Sequence, residues 1–183
     1  YYPGAKQMSI KLNFSPENGR VLGAQIVGEE GVDKRLDLMA SVVSRGGNVS
    51  DLVDIEHAYA PPYSSAKDPV AYAGYVAENI MTKRVVPMQW HELQAILAQN
   101  NWQDEYFLLD VRSAMEVKKG MIEGAVNYPV DELREFVEEI PEDKKIIVYC
   151  AVGMRGYIAS RILTQSGFNQ VYNLSGGYKT YQL

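Results

Sequence analysis

Of 183 residues only one, Cys150, is a cysteine, and it lies in the stretch "YCAVGMRGY" from Tyr149 to Tyr157. A lone cysteine is ordinarily a small buried hydrophobe, but its neighbours here point to chemistry. The apolar run "IIVYC" (146–150) leads into it, Ala151-Val152-Gly153-Met154-Arg155 follow, and then a helical pattern begins. A strand, a tight loop with a central glycine and a helix start together aim several backbone N–H groups inward. They form an anion cradle that the helix dipole reinforces. A thiolate in such a cradle is stabilised over the thiol and is a nucleophile at neutral pH; Arg155 adds a fixed positive charge. Four residues separate Cys150 from Arg155, which makes a six-residue loop. Cysteine loops that hold phosphate are one residue longer, because a tetrahedral dianion needs the wider ring. The tighter ring suits a thiolate carrying one extra sulfur. The spacing therefore reads as persulfide chemistry, with Cys150 and Arg155 as the catalytic pair and Ala151, Val152, Gly153 and Met154 as the cradle.

The elements that must position this loop are legible in the second half of the chain. Apolar strands "YFLLDV" (106–111), "AVNYP" (125–129), "IIVYC" (146–150) and "VYNL" (171–174) alternate with amphipathic stretches. Leu133, Phe136, Val137 and Ile140 share one helical face, and so do Ile158, Ala159, Ile162 and Leu163. Such alternation predicts an α/β fold with a doubly wound parallel sheet covered on both sides. Ligands on such sheets sit beyond the carboxyl ends of the strands, where Cys150 falls. Asp110 and Arg112 in "LLDVR" read as structural support through ion pairing rather than as reacting groups. Lys118 and Lys119 read as a solvated helix end, and His91 as surface.

The first half has a different pattern. Met8, Ile10, Leu12 and Phe14 recur at period two, "PENG" is turn chemistry and "RVLGAQIVG" returns, which predicts an antiparallel hairpin. A helix follows with Val32, Leu36, Met39, Ala40 and Val43 on one face, ended by Gly46-Gly47. Ser50 is placed to cap a short helix over 51–55, and Asp68-Pro69 to open a further one. "TKRVVP" (82–87) reads as the connection, so the expected organisation is 1–82, a linker at 83–87 and a second domain over 88–183. The first half holds no cysteine, no plausible metal cluster and no catalytic constellation.

Bulk properties narrow the setting. Hydrophobic residues make up 46% and charged residues 22%, with a formal net charge of −5, as in an ordinary soluble globular protein. The acidic balance argues against nucleic acid or an anionic membrane as main partner. No apolar run is long enough to span a bilayer. A single cysteine excludes an internal disulfide framework and fits a reducing, cytoplasmic setting. The chain opens on "YYPGAKQ" without an initiator methionine, and is expected to be a piece of a longer polypeptide.

Two resemblances sharpen this. "FLLDVRSAMEVKKGMIEGAVNYPVDEL", "IIVYCAVGMRGYIASRIL" and "VYNLSGGYKTY" resemble, in order and spacing, the segments of a rhodanese (sulfurtransferase) domain over roughly 88–183. The resemblance implies that Cys150 accepts a sulfane sulfur as a persulfide, held by the amides from Ala151 to Arg155 and the Arg155 side chain. The chain departs from the family at Met121 in "GMIEGA", where a largely structural histidine is usual; the departure bears on substrate preference and not on fold. "YYPGA", "VGEEGVDKRLD" and "AYAPPYSSAKDPVAYAGYVAEN" are similar to the dimerisation domain of flavin-dependent CoA-disulfide reductases and related NADH oxidases, with the domain's usual first helix and strand missing. That likeness implies a partial α+β domain, a homodimer, and association with the FAD- and NADH-binding domains of a parent chain. Its cofactors would be FAD, CoA and NAD(P)H. The CoA-site tyrosines of that family match Tyr1 and Tyr59, although interface packing would equally account for both. Lys34 and Arg35 could meet CoA phosphates, but read better as decoration of a helix start.

Together the resemblances imply a CoA-disulfide or CoA-persulfide reductase, acting on polysulfide, CoA persulfide or thiosulfate through Cys150. This stretch by itself would be at most a sulfurtransferase, because the redox cysteine and the FAD- and NADH-binding motifs of such enzymes are not in it. Two rival readings stay open: an inert rhodanese-like docking domain on a dimerisation module, and a rhodanese-fold cysteine phosphatase.

Overall fold

The computed structural model describes residues 4–61 and 64–182. It divides into two compact units, Tyr1–Lys83 and Arg84–Leu183.

In the first unit, β1 (Met8–Phe14) and β2 (Val21–Gly28) form an antiparallel hairpin with Met8 opposite Gly28. Alternate residues of β1 are half-buried, as the period-two pattern requires. The hairpin packs on α1 (Val32–Ser44), α2 (Val49–Asp54) and α3 (Pro69–Met81) around Val21, Met39, Val42, Leu52, Val70 and Ala77. Two local expectations are corrected. The cap of α2 is Asn48, in a reciprocal capping box with Asp51, and Ser50 lies inside the helix. The inner face of α1 is turned away from Leu36 and Ala40, both exposed, towards Arg35, Met39 and Val42. Arg35 lies on this inner face, buried rather than decorating the helix start. Its Nε and Nη2 donate to Asp68 Oδ2 at 3.1 and 2.9 Å, and Nη1 to the Gly31 carbonyl at 3.2 Å. Asp68 also accepts from Val70 N at 3.0 Å as the cap of α3. Burial pushes the Asp68 carboxyl up, but the Val70 amide and Arg35 outweigh it and hold it below its ordinary range.

The second unit contains a five-stranded, all-parallel sheet in the order β3-β7-β6-β4-β5. Its strands are β3 (Val86–Met88), β4 (Tyr106–Asp110), β5 (Val126–Asn127), β6 (Lys145–Tyr149) and β7 (Val171–Leu174). The helices are α4 (Trp90–Leu97), α5 (Trp102–Glu105), α6 (Ala114–Val117), α7 (Met154–Gln165) and α8 (Gly177–Tyr181). Apolar side chains serve both faces of the sheet. Leu109, Ile146 and Val148 pack with Ala159, Ile162 and Leu163 of α7; Leu108, Ile147 and Tyr149 pack with Leu93 of α4 and with Ile122. This is the α/β parallel-sheet class that strand–helix alternation implies.

Two details differ from the pattern reading. Strand β3 begins at Val86, inside the segment read as linker, and pairs with β7 at the sheet edge, where Pro87 is tolerated. The helical face over Leu133 to Ile140 is two short 3₁₀ turns, Leu133–Glu135 and Val137–Glu139, which still bury Leu133 and Ile140. Among the described residues no helix is long and apolar enough to cross a membrane.

Candidate active site: the Cys150 loop

Strand β6 is the middle strand of the sheet and its most buried, and Cys150 is the residue immediately after it. The loop Cys150–Arg155 thus leaves the carboxyl end of the sheet and turns straight into α7. Cys150 is 1% exposed. Its Sγ accepts the Gly153 N–H at 3.1 Å, closing the loop on the sulfur. The first amides of α7 have no intrahelical carbonyl to bond, so they remain available to an anion on the sulfur. The turn requires φ +130° at Gly153, a value that an L side chain strains to adopt.

Three groups hold the loop in place, and none was singled out from sequence. Glu116 is the first. Arg155 Nη1 and Nη2 donate to its two carboxylate oxygens, each at 2.7 Å. This is a parallel, bidentate pair. Glu116 is itself fixed by the capping box of α6, accepting from Ser113 N at 3.1 Å and Ser113 Oγ at 2.9 Å. Arg155 holds the Glu116 carboxyl down to about 2, helped by Ser113 and against partial burial, and Glu116 in turn raises Arg155. Arg155 therefore forms one wall of the loop as half of an ion pair, not as a free cation.

Helix α8 is the second group. Tyr178 N donates to the Cys150 carbonyl at 2.8 Å and Lys179 N to the Ala151 carbonyl at 3.1 Å. The approach is so close that a Cβ on Gly177 would lie 2.4 Å from the Cys150 oxygen, and φ there is +58°. Asn173 of β7 is the third, its Nδ2 donating to the Gly153 carbonyl at 3.3 Å.

Asp110 and Arg112 lie below this layer. Arg112 Nε donates to both Asp110 oxygens at 3.0 Å, Nη2 donates to Oδ2 at 2.6 Å, and Nη2 also reaches the Gly120 carbonyl at 2.8 Å. Asp110 is fully buried and Arg112 nearly so. The Arg112 guanidinium sits 4.0 Å from the ring centroid of Tyr178, whose amide bonds Cys150, and 5.6 Å from that of Tyr149. Burial pushes the Tyr149 hydroxyl up, so it stays neutral and accepts the Ile122 N–H at 3.1 Å.

The loop residues named from sequence, Cys150 to Arg155, converge on one site, with Asp110 and Arg112 beneath it. Lys118 and Lys119 are exposed at the end of α6, and His91 is exposed on α4. In the first unit, Tyr59 is 55% exposed on a segment without regular structure. Tyr1 lies outside the described residues. A signal for Glu116 was present, since Ser-x-x-Glu is the capping-box signature. The Gly176-Gly177 pair was visible too, but its role depends on a contact across the sheet.

Comparison with known proteins bears on both halves. Over 97–99% of its length the chain is similar to two solved structures. One is a reduced CoADR-RHD of Bacillus anthracis, with 48% identity and a TM-score of 0.91. The other is a NAD-dependent persulfide reductase of A. fulgidus, with 38% identity and a TM-score of 0.80. The chain spans 31% and 30% of those two chains. Coenzyme A disulfide reductases of Staphylococcus epidermidis and Staphylococcus aureus are 37% and 40% identical over 78 residues, which is 43% of this chain and 18% of theirs. The family model of the rhodanese-like domain matches residues 89–183, the part that carries the whole Cys150 site. The chain belongs to the rhodanese-like domain family.

Proposed function

We propose that Cys150 accepts a sulfane sulfur as a persulfide and hands it to the flavin and coenzyme A site of a CoA-disulfide or CoA-persulfide reductase. In this reading residues 88–183 are the sulfur-carrying domain and 1–82 a dimerisation domain, with Tyr59 and Tyr1 lining the coenzyme A site. FAD, NAD(P)H and coenzyme A belong to the parent enzyme, and the rhodanese step needs none of them. The observation that carries the reading is the Gly153 N–H on Cys150 Sγ at 3.1 Å within a loop that leads into the N-terminus of α7. A thiolate or terminal persulfide sulfur at that point meets amide dipoles and a helix N-terminus instead of water. Similarity over 97% of this chain, which is 30% of the other, to a persulfide reductase supports the sulfur assignment.

The residues present divide the work. Cys150 Sγ attacks the outer sulfur of the donor, the donor's S–S bond breaks, and the electron pair leaves on the donor's remaining fragment. The loop amides stabilise the charge on the terminal sulfur. Arg155, clasped by Glu116, keeps the loop at the width that fits one added sulfur. Incubation with polysulfide followed by intact-mass measurement is expected to add one sulfur to the wild type. The same gain in Cys150→Ala would overturn the assignment.

A further inference from the structure

The rim of the Cys150 loop is apolar to a degree that a buried nucleophile does not require. Val152 and Met154, on either side of Gly153, are 56% and 55% exposed. Ile158, one turn after Met154 on α7, is 42% exposed, although its helical neighbours Ala159 and Ile162 are buried. Met115 is 76% exposed and precedes Glu116, whose grip on Arg155 at 2.7 Å brings α6 to the loop. Single exposed apolar residues need no explanation. Here two of the four lie in the loop that carries the 1%-exposed Cys150, one lies a turn further along α7, and one stands beside the Glu116 that clasps Arg155.

The charge balance points the same way. The Arg155 charge is matched by Glu116, and the other loop side chains, Ala151, Val152 and Met154, carry no charge or hydrogen-bonding group. Lys179 is exposed on α8, where it bonds the loop through its backbone. A thiosulfate dianion carries its sulfonate next to the transferable sulfur, and would have to desolvate that group against methionine and valine, with the Arg155 charge already matched by Glu116. A persulfide on an uncharged hydrocarbon arm can lay the arm on the rim and present only its terminal sulfur to the amides.

We propose that Met115, Val152, Met154 and Ile158 set the donor class at Cys150, selecting organic persulfides with an uncharged hydrocarbon arm over thiosulfate. The proposal rests on Cys150 being the sulfur acceptor. The step is a thiol exchange without net oxidation. The Cys150 thiol and R–S–SH give Cys150–S–SH and R–SH, with the Sγ–S bond formed as the donor's S–S bond breaks. The thiol proton goes to the departing thiolate.

The test uses the full chain and follows the rate at which Cys150 gains one sulfur by intact mass. Butyl persulfide and thiosulfate are compared, each normalised to the rate with N-acetylcysteine. Normalised in this way, butyl persulfide is expected to exceed thiosulfate by about tenfold or more. A lysine about 6 Å from a dianion in water-like surroundings changes its affinity about tenfold. Met154→Lys, and independently Met115→Lys on the neighbouring helix, should thus speed the thiosulfate reaction about tenfold and slow that of butyl persulfide. Equal normalised rates in the wild type, or lysine variants that leave the ratio unmoved, would overturn the proposal. If polysulfide loads Cys150 while the donor ratio is flat, the rim assignment alone fails. If no donor loads Cys150, the sulfur-acceptor reading fails and takes the proposal with it.

Discussion

Gly177→Ala is a severe test of how the loop is held, because the glycine faces backbone that cannot swing aside. The added Cβ would lie 2.4 Å from the Cys150 carbonyl oxygen and 2.8 Å from both Ala151 C and Val152 N. It would also sit at φ +58°, which costs an L residue about 1–2 kcal/mol. Overpacking against a rigid neighbour adds about 1–3 kcal/mol, for a total of roughly 2–5 kcal/mol. Gly153→Ala makes the internal comparison. Its φ is +130°, but a Cβ there meets nothing within 4 Å, so only a strain of about 1–3 kcal/mol remains. Both tryptophans, Trp90 and Trp102, lie in the second unit, so selectively excited tryptophan fluorescence reports that unit alone. For a domain of this size each kcal/mol moves Tm by about 4–8 °C. Gly177→Ala should therefore lower the midpoint by roughly 10 °C or more, and by more than Gly153→Ala, while slowing sulfur loading of Cys150. A Gly177→Ala protein with wild-type Tm and loading would refute the claim that α8 braces the loop.

Glu116→Gln should destabilise by about 1 kcal/mol, the modest figure fitting a pair that is one-third exposed. Because the folded Glu116 carboxyl is held at about 2, its contribution is fully present above the ordinary carboxylate range and is lost as pH falls towards 2. The wild-type-minus-variant stability gap should accordingly be flat from neutral pH to about pH 5 and shrink below that, as read by denaturant titration at each pH. Asp110→Asn leaves the buried Arg112 guanidinium without a counter-charge and should cost about 3–5 kcal/mol, measured by the same fluorescence transition. Tyr149→Phe removes the acceptor of the buried Ile122 N–H and should cost about 1–3 kcal/mol, with little effect on the rate of sulfur loading.

Much of the site was legible in the sequence because its signals are local. The apolar strand, the central glycine of the loop and the gap from Cys150 to Arg155 all lie within one stretch, and the hairpin over Met8 to Gly28 follows from period two and turn residues. What escaped depends on contacts distant in sequence. Glu116 is 39 residues from the arginine it clasps, and Tyr178 reaches the Cys150 carbonyl from beyond β7. Arg35 shows the same principle in the first unit. Read locally it is a charged residue at a helix start, yet it is buried against a partner 33 residues away. Strand β3 leaves no pattern in the sequence because Val86-Pro87-Met88 is too short for a period and pairs only at an edge. The two 3₁₀ turns preserve the burial of Leu133 and Ile140, so apolar spacing alone could not tell them from an α-helix.

The central claim is that the loop from Cys150 to Arg155 is a seat for one extra sulfur on Cys150. A high-resolution structure of the chain after polysulfide treatment tests it most directly. The account predicts one additional sulfur bonded to Cys150 Sγ and ringed by the amides of Ala151 to Arg155, with the Arg155–Glu116 pair intact. An unmodified Cys150 in protein that has gained sulfur elsewhere, or an added sulfur turned out of the loop towards solvent, would contradict it.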